Sequence, residues 1–329
     1  MLKKTVGSTV AAVCLLAGGA MLYLVLRKPA TASPPKIQVE ATPERLARGK
    51  YLFEVVADCA GCHSERDFSR FGGPVTPGGL GKGMVFPSEL GFPGTVAGPN
   101  LTPDVETGLG GWTDGETIRA IREGVSRDGR ALFTLMPYKY FRRMSDEDVY
   151  AVVAYMNSLP AVNSHVPRTE LDFPVNLLIK SAPQPVTGAI PAPDRADKTR
   201  YGEYLTNLAG CIECHTPMEG GKLVESKRFA GGREFRLGPY VAFSANISPD
   251  EATGIGTWSE ERFVRKFLNY RSFAEGSSPK VFRANFTLMP WLGYARMEEQ
   301  DLKAIYAYLR TVAPQNNRVE THPAAAPVN

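Results

Sequence analysis

Cys59-Ala-Gly-Cys62-His63 brings two thiols and an imidazole within five positions, and Cys211-Ile-Glu-Cys214-His215 does so again at an offset of 152 residues. Three chemistries use closely spaced thiols. A thioredoxin-like dithiol uses one Cys-x-x-Cys in a βαβ setting, but here there are two pairs and no strand–helix alternation. A four-cysteine zinc site would join two distant pairs and leave both adjacent histidines without a role. Covalent haem attachment uses all three residues. Thiols one helical turn apart bond to the two vinyl groups on one haem edge, and the histidine beneath the ring ligates iron through a neutral imidazole nitrogen. Two covalent haem c groups are therefore expected, one on Cys59 and Cys62 with His63 as axial ligand, the other on Cys211 and Cys214 with His215.

Each iron then needs a sixth ligand or an open site. The two remaining histidines, His165 and His322, lie outside the repeated segments, which argues against bis-histidine ligation. Methionine is the other choice, and a Met/His pair raises the reduction potential. Two pairs occur at matched positions: Met136 and Met289 within Thr-Leu-Met-Pro, and Met144 and Met297 before the last helix of each half. The second pair has a local explanation, as a hydrophobic staple onto Val149 and Leu302. The first precedes proline, which favours extended backbone able to cross a haem face. Met136 and Met289 are the expected sixth ligands. Met84 and Met218 have no counterpart in the other half.

These residues sit in a duplicated frame. Asn100-Leu-Thr-Pro-Asp104 recurs as Asn246-Ile-Ser-Pro-Asp250, Trp112 as Trp258, Phe133-Thr-Leu-Met-Pro137 as Phe286-Thr-Leu-Met-Pro290, and Asp148 as Asp301. Such a repeat predicts two copies of one structural unit. Each copy reads as helical. A leading helix follows Thr42-Pro43, burying Leu46, Leu52, Phe53 and Val56; Tyr201, Tyr204, Leu205 and Leu208 mark its counterpart. A middle helix follows Thr113, with Glu116 as a capping box, and its counterpart follows Ser259. A closing helix follows Ser145, with Asp148 completing a second box, and presents Val149, Val152, Val153 and Met156; Leu302, Ile305, Tyr306 and Leu309 repeat it. The expected division is 1–42 anchor and short linker, 43–162 first module, 163–198 proline-rich linker, 199–313 second module, and 314–329 disordered tail. With 32 glycines and 26 prolines, long irregular loops must join these helices.

The formal charge of +4 comes entirely from Lys3, Lys4, Arg27 and Lys28, so residues 33–329 are neutral overall and no basic surface points to nucleic acid. Residues 5–26 carry no charge. At about 1.5 Å per residue they would extend roughly 33 Å, enough to cross a bilayer core. A cleaved signal peptide is the competing reading, since Ala30-Thr31-Ala32 has a small-residue pattern. Its apolar region would be only about 7–15 residues, and Arg27-Lys28 interrupts the approach to the site. An N-terminal transmembrane helix is expected, with Cys14 as a small apolar residue within it.

Gly98-Pro99-Asn100-Leu101, following a Cys-x-x-Cys-His motif, resembles class I c-type cytochromes. More narrowly, the Asn-Leu-Thr-Pro-Asp segment running on to Trp112, the Met-Pro strap, and Thr169-Glu-Leu-Asp-Phe-Pro174 resemble the cytochrome c subunits of membrane-bound bacterial dehydrogenases. The resemblance covers residues 43–313; many such subunits carry three haem modules, and this chain has two attachment motifs. It implies an all-α fold of two tandem class I modules with long Gly/Pro-rich loops behind the N-terminal helix. It implies that the Pro99 carbonyl accepts a hydrogen bond from His63, and that Asn100, Trp112, Asn246 and Trp258 lie in the shell around the haems. In the second copy the turn reads Ser244-Ala245-Asn246-Ile247, so Ala245 would supply the carbonyl and hold His215 less rigidly. The function implied is single-electron transfer from a dehydrogenase to a cytochrome or oxidase. The expected location is the bacterial inner membrane, with the haem modules in the periplasm. With both irons six-coordinate no substrate site is expected; the rival function is a dihaem peroxidase, in which one iron must lose its distal ligand.

Overall fold

A computed structural model describes residues 2–323, with side chains from residue 13 onward. Helix α1 (Leu2–Leu26) is followed by an extended arm. The first copy contains α2 (Pro43–Tyr51), a π turn (Leu52–Val56), α3 (Cys59–His63), α4 (Asp114–Glu123), α5 (Tyr138–Phe141) and α6 (Asp146–Ser158). After α7 (Val175–Leu178), the second copy contains α8 (Lys198–Leu208), α9 (Cys211–His215), α10 (Glu260–Leu268), α11 (Arg271–Glu275), α12 (Trp291–Tyr294) and α13 (Glu299–Leu309).

The local signals act where they were expected. Thr42 caps α2 with Pro43 at its first position, Thr113 and Glu116 form a reciprocal box on α4, and Ser259 caps α10. Ser145 caps α6 by accepting from Asp148 N, but the Asp148 carboxylate does not complete a box. It turns away to Arg48 and to Tyr204 of the other copy. The apolar faces of α2 and α6 pack on each other, as do those of α8 and α13. Each pair crosses at a glycine: a Cβ at Gly49 would collide with the Ala151 carbonyl, and one at Gly202 with the Ala304 carbonyl, 153 positions on. Backbone cannot yield as a flexible side chain can. Gly49→Val and Gly202→Val should therefore each cost about 3 kcal/mol or more in thermal unfolding. Gly18→Ala, with no atom within 4 Å of the added methyl, should change little.

The buried residues form one continuous cluster that draws on both copies, from Leu52 and Phe53 through Val149 to Leu205, Leu302 and Leu309. The copies also reach across to each other: α5 packs on α8, and α12 packs on the Leu52–Val56 turn.

Three expectations change. The chain is not all-α: β1 (Met84–Val85) pairs with β3 (Ala97–Gly98), β2 (Gly94–Thr95) with β4 (Glu170–Leu171), β5 (Met218–Glu219) with β6 (Lys222–Leu223), and β7 (Glu234–Leu237) with β8 (Tyr240–Phe243), all antiparallel. Long loops must pair their own N–H and C=O groups, and short ribbons do so. Second, no helix among the described residues is long and apolar enough to cross a membrane, so the expected transmembrane helix, and the inner-membrane and periplasmic location built on it, are not supported. Crossing takes about 20 apolar residues. The described side chains of α1 begin at Val13 and end at Leu26, about 21 Å of helix at roughly 1.5 Å per residue. The rest of the expected span lies outside the described side chains. Third, the tail is ordered as far as it is described. Gln315 O accepts from Asn246 Nδ2 at 2.6 Å, Asn317 Nδ2 donates to Ala230 O at 2.9 Å, and Phe243 N donates to Thr321 O at 2.9 Å; residues 324–329 lie outside the description. The extended arm after α1 is tied to the first copy. Buried Glu123 accepts from Thr31 Oγ1 at 2.5 Å and from Ala32 N at 2.9 Å, and Asp114 accepts from Val39 N at 2.7 Å.

Candidate functional site

Both Cys-x-x-Cys-His motifs fold as five-residue helices entered from a left-handed residue, Asp58 (φ 46°) for α3 and Gly210 (φ 65°) for α9. Left-handed backbone suits glycine, and aspartate tolerates it. The choice propagates into the motif. The Asp58 carboxylate folds over α3, where a Cβ at Gly61 would meet it, so a larger residue at the third motif position would have to displace that carboxylate. Gly210 has no side chain, and the corresponding position in α9 is Glu213.

An arginine binds a carbonyl inside each motif. Arg66 Nη1 donates to Gly61 O at 3.0 Å, and Arg233 donates to Glu213 O. The two arginines hold equivalent carbonyls from unrelated sequence positions, three residues after His63 and eighteen after His215. No repeat alignment could have paired them.

Both histidines are buried, 8% exposed. His63 Nδ1 lies 2.9 Å from Pro99 O, and His215 Nδ1 lies 2.8 Å from Ala245 O. A carbonyl only accepts, so Nδ1 carries the hydrogen and Nε2 keeps its lone pair. Burial pushes both imidazoles below their ordinary pKa, outweighing the opposing effect of the carbonyl. The imidazoles are therefore neutral, as a ligand must be. No hydrogen bond engages either Nε2 among the described residues. Ala245 supplies the carbonyl in the second copy as expected, at a distance matching that of Pro99 in the first.

The thiols fit the same group. All five cysteines are unpaired. Burial, the largest cause, pushes the Cys62 and Cys211 thiols up to about 12, opposite to the lowered pKa of a reactive dithiol. Two unpaired thiols and an imidazole with a free Nε2 on one short helix are what a covalently held haem requires.

Asn100 and Asn246 do not touch the histidines. Asn100 Nδ2 donates to Thr107 Oγ1 at 3.0 Å and Val162 O at 2.8 Å, while its Oδ1 accepts from Thr102 N at 2.9 Å. Asn246 repeats this with Thr253 Oγ1 at 3.0 Å, Gln315 O at 2.6 Å and Ser248 N at 3.0 Å. Each amide clamps the turn that carries the histidine's carbonyl to the strap following the closing helix. Asn100→Leu leaves the buried Thr102 N without its side-chain acceptor, and should cost about 1–3 kcal/mol in thermal unfolding; an unchanged midpoint would show that the clamp contributes nothing.

Met136 and Met289 are half-buried against the core. Their carbonyls accept from Tyr138 N at 2.8 Å and Trp291 N at 2.7 Å, closing inverse γ-turns on Pro137 (φ −82°, ψ 43°) and Pro290 (φ −73°, ψ 55°). The strap is thus bent at the proline rather than running on extended. Met144 and Met297 are 1% exposed and sit in the apolar core. Trp112 and Trp258 are half-buried beneath arginines, with Arg127 6.0 Å and Arg262 4.4 Å from the ring centroids. Tyr306 also donates to Trp258 O at 2.5 Å, so Trp258 helps to pack α13 on its loop.

Sequence reasoning missed Tyr294. It is 4% exposed and donates to Ala209 O at 2.6 Å. Burial raises its pKa, and Cys211, Asp58, Cys214 and Cys62 add to the effect. The phenol thus bonds the residue two before Cys211, a contact that nothing in its local pattern marks.

Residues 46–160 match the family model described as Cytochrome c. The chain is 28% identical over 295 residues to the fructose dehydrogenase cytochrome subunit of Gluconobacter japonicus, covering 86% of this chain and 54% of that one. It is 30% identical over 242 residues to the cytochrome c subunit of the quinone-type alcohol dehydrogenase of Gluconobacter oxydans, covering 68% and 47%. To a diheme cytochrome c-type protein of Cereibacter sphaeroides it is 29% identical over 306 residues, covering 92% and 96%. The chain spans about half the length of the two dehydrogenase subunits. Residues 46–160 thus belong to the cytochrome c family, and over most of its length this chain is related to cytochrome c subunits of bacterial dehydrogenases and to a diheme c-type cytochrome.

Proposed function

We propose that this chain is a two-haem c-type cytochrome that takes single electrons from a dehydrogenase and passes them to a respiratory acceptor, a cytochrome or an oxidase. The observation that carries the reading is the matched pair of histidines, each with Nδ1 bonded to a carbonyl and Nε2 free. Residues 43–162 would house one haem and 199–313 the other, with 163–198 between them.

When bound, each haem supplies a reversible one-electron iron couple. The chain does the rest. Cys59 with Cys62, and Cys211 with Cys214, fix the ring edge. His63 and His215 would hold the irons through Nε2, and Met136 and Met289 would supply the thioether ligands. Burial of the imidazoles keeps water from competing. The sites are alike in their histidine geometry and their Met-Pro turns, whereas a dihaem peroxidase needs one site to give up its distal ligand.

The test is a haem count joined to a redox titration of the purified protein. Acid–acetone should extract no haem, the polypeptide should retain two, and reduction should proceed in two one-electron steps. Extractable haem, or a high-spin five-coordinate iron in the untouched protein, would refute the carrier reading.

A further inference from the structure

The seam between the two copies is closed by a pair of reciprocal bonds. Tyr51 of α2 donates to Asp301 Oδ2 of α13 at 2.8 Å, and Tyr204 of α8 donates to Asp148 Oδ2 of α6 at 2.6 Å. Both pairs are related by 153 positions. Each phenol oxygen also accepts a matching backbone N–H, from Glu298 at 3.0 Å and from Ser145 at 3.1 Å. The same three-residue contact is thus made twice in opposite senses, which defines a pseudo-twofold axis. The carboxylates are buried, Asp148 8% and Asp301 2% exposed. Arg48 braces Asp148 with bonds of 2.8 and 2.9 Å. Its counterpart 153 positions on is Tyr201, and Asp301 pairs with no cation among the described residues, so Tyr51 is its principal support.

This seam lies beside both attachment helices. Lys139 Nζ and Tyr140 Oη of the first copy reach Glu213, between Cys211 and Cys214, at 2.5 and 2.6 Å. From the other side, Gly293 of α12 faces the Glu54 and Val55 carbonyls that lead into Asp58 and Cys59. Rotation of one copy about the axis would change the separation of the two motifs directly. Apolar burial is non-directional; Arg296 also donates to Glu54 O across the seam at 3.0 Å, but the phenol–carboxylate bonds are the ones repeated in both senses and made to buried carboxylates.

We propose that Tyr51 and Tyr204 are positioning residues that lock the two haem-bearing copies in one mutual orientation for electron exchange between them. The proposal rests on the two-haem carrier reading. The tyrosines would only hold the orientation: the single electron passed from one haem to the other would form or break no bond to either phenol.

The experiment uses the full-length holoprotein and Tyr51→Phe, Tyr204→Phe, the double variant and Asp301→Asn. Two haems held close in a fixed orientation give a bisignate Soret couplet in circular dichroism. The wild type should show it, each single variant should weaken it, and the double variant should lose it. Covalent haem content and the absorption spectrum should be unchanged throughout. Asp301→Asn keeps an oxygen that accepts from Tyr51, so it should preserve the couplet. A couplet intact in the double variant, or absent from a wild type carrying two haems, overturns the lock and leaves the carrier reading standing. A wild type with fewer than two covalent haems overturns the carrier reading itself.

Discussion

Met136→Ala should abolish the Fe–S(Met) charge-transfer absorption of one haem, and Met289→Ala that of the other. Each thioether lies in a half-buried turn bent by the following proline, and a thioether stabilises ferrous iron. Axial ligands set haem potentials over a range of about 0.8 V, so each loss should lower that haem's potential by on the order of 0.1 V or more. Met144→Ala and Met297→Ala are the controls. Both side chains are 1% exposed in the core, so their truncation should cost about 2–5 kcal/mol in unfolding free energy while leaving both spectra intact. Absorption titration against potential reads the first effect and thermal unfolding the second. A charge-transfer band that survives Met136→Ala and disappears in Met144→Ala would reverse the ligand assignment.

Replacing Cys211 and Cys214 together by alanine should halve the covalent haem content, from two per chain to one. The thiols of α9 are the only link the second copy offers to the vinyl edge. The first copy keeps Cys59, Cys62 and a His63 whose carbonyl partner, Pro99, is its own, so its spectrum should persist. Stability should not divide so cleanly. The apolar core is continuous through both copies, and Tyr204 braces Asp148 across the seam. Losing one haem should therefore lower the unfolding temperature of the chain as a whole. Haem staining of the denatured polypeptide and calorimetry measure the two effects. Undiminished staining would show that α9 is not an attachment site. A first copy that melts at its original temperature would show that the seam transmits no stability.

The comparisons with known proteins bear on these predictions unequally. Membership of the cytochrome c family is shown for residues 46–160, and kinship with dehydrogenase subunits extends over most of the chain. The ligand assignments rest on this chain's own residues and turns, which is why the methionine variants matter most.

Much of what the sequence by itself determined is local. Each pair of thiols and its imidazole share one short helix, as their spacing alone required. Thr42, Thr113 and Ser259 cap the helices that follow them because a cap bonds to a backbone N–H only two or three positions on. The repeat at offsets of 146 to 153 residues marked the paired straps and helices before any coordinates. Tertiary structure decided where long-range partners compete with local ones. Asp148 had a plausible local role in a capping box, yet its carboxylate binds Arg48 and Tyr204, because folding brings a guanidinium and a buried phenol within reach at better geometry. Arg66 and Arg233 serve equivalent carbonyls from unrelated positions, since a long side chain can reach one point in space from many points along the chain. The tail after residue 314 has a composition that reads as disordered, but Gln315 and Asn317 supply backbone bonds that Asn246 and Thr253 lack locally. Two tyrosine–aspartate pairs, 250 and 56 residues apart, join the two copies. A pairing at that range leaves no period in the sequence, because the chain between the partners is free to take any path that brings them together.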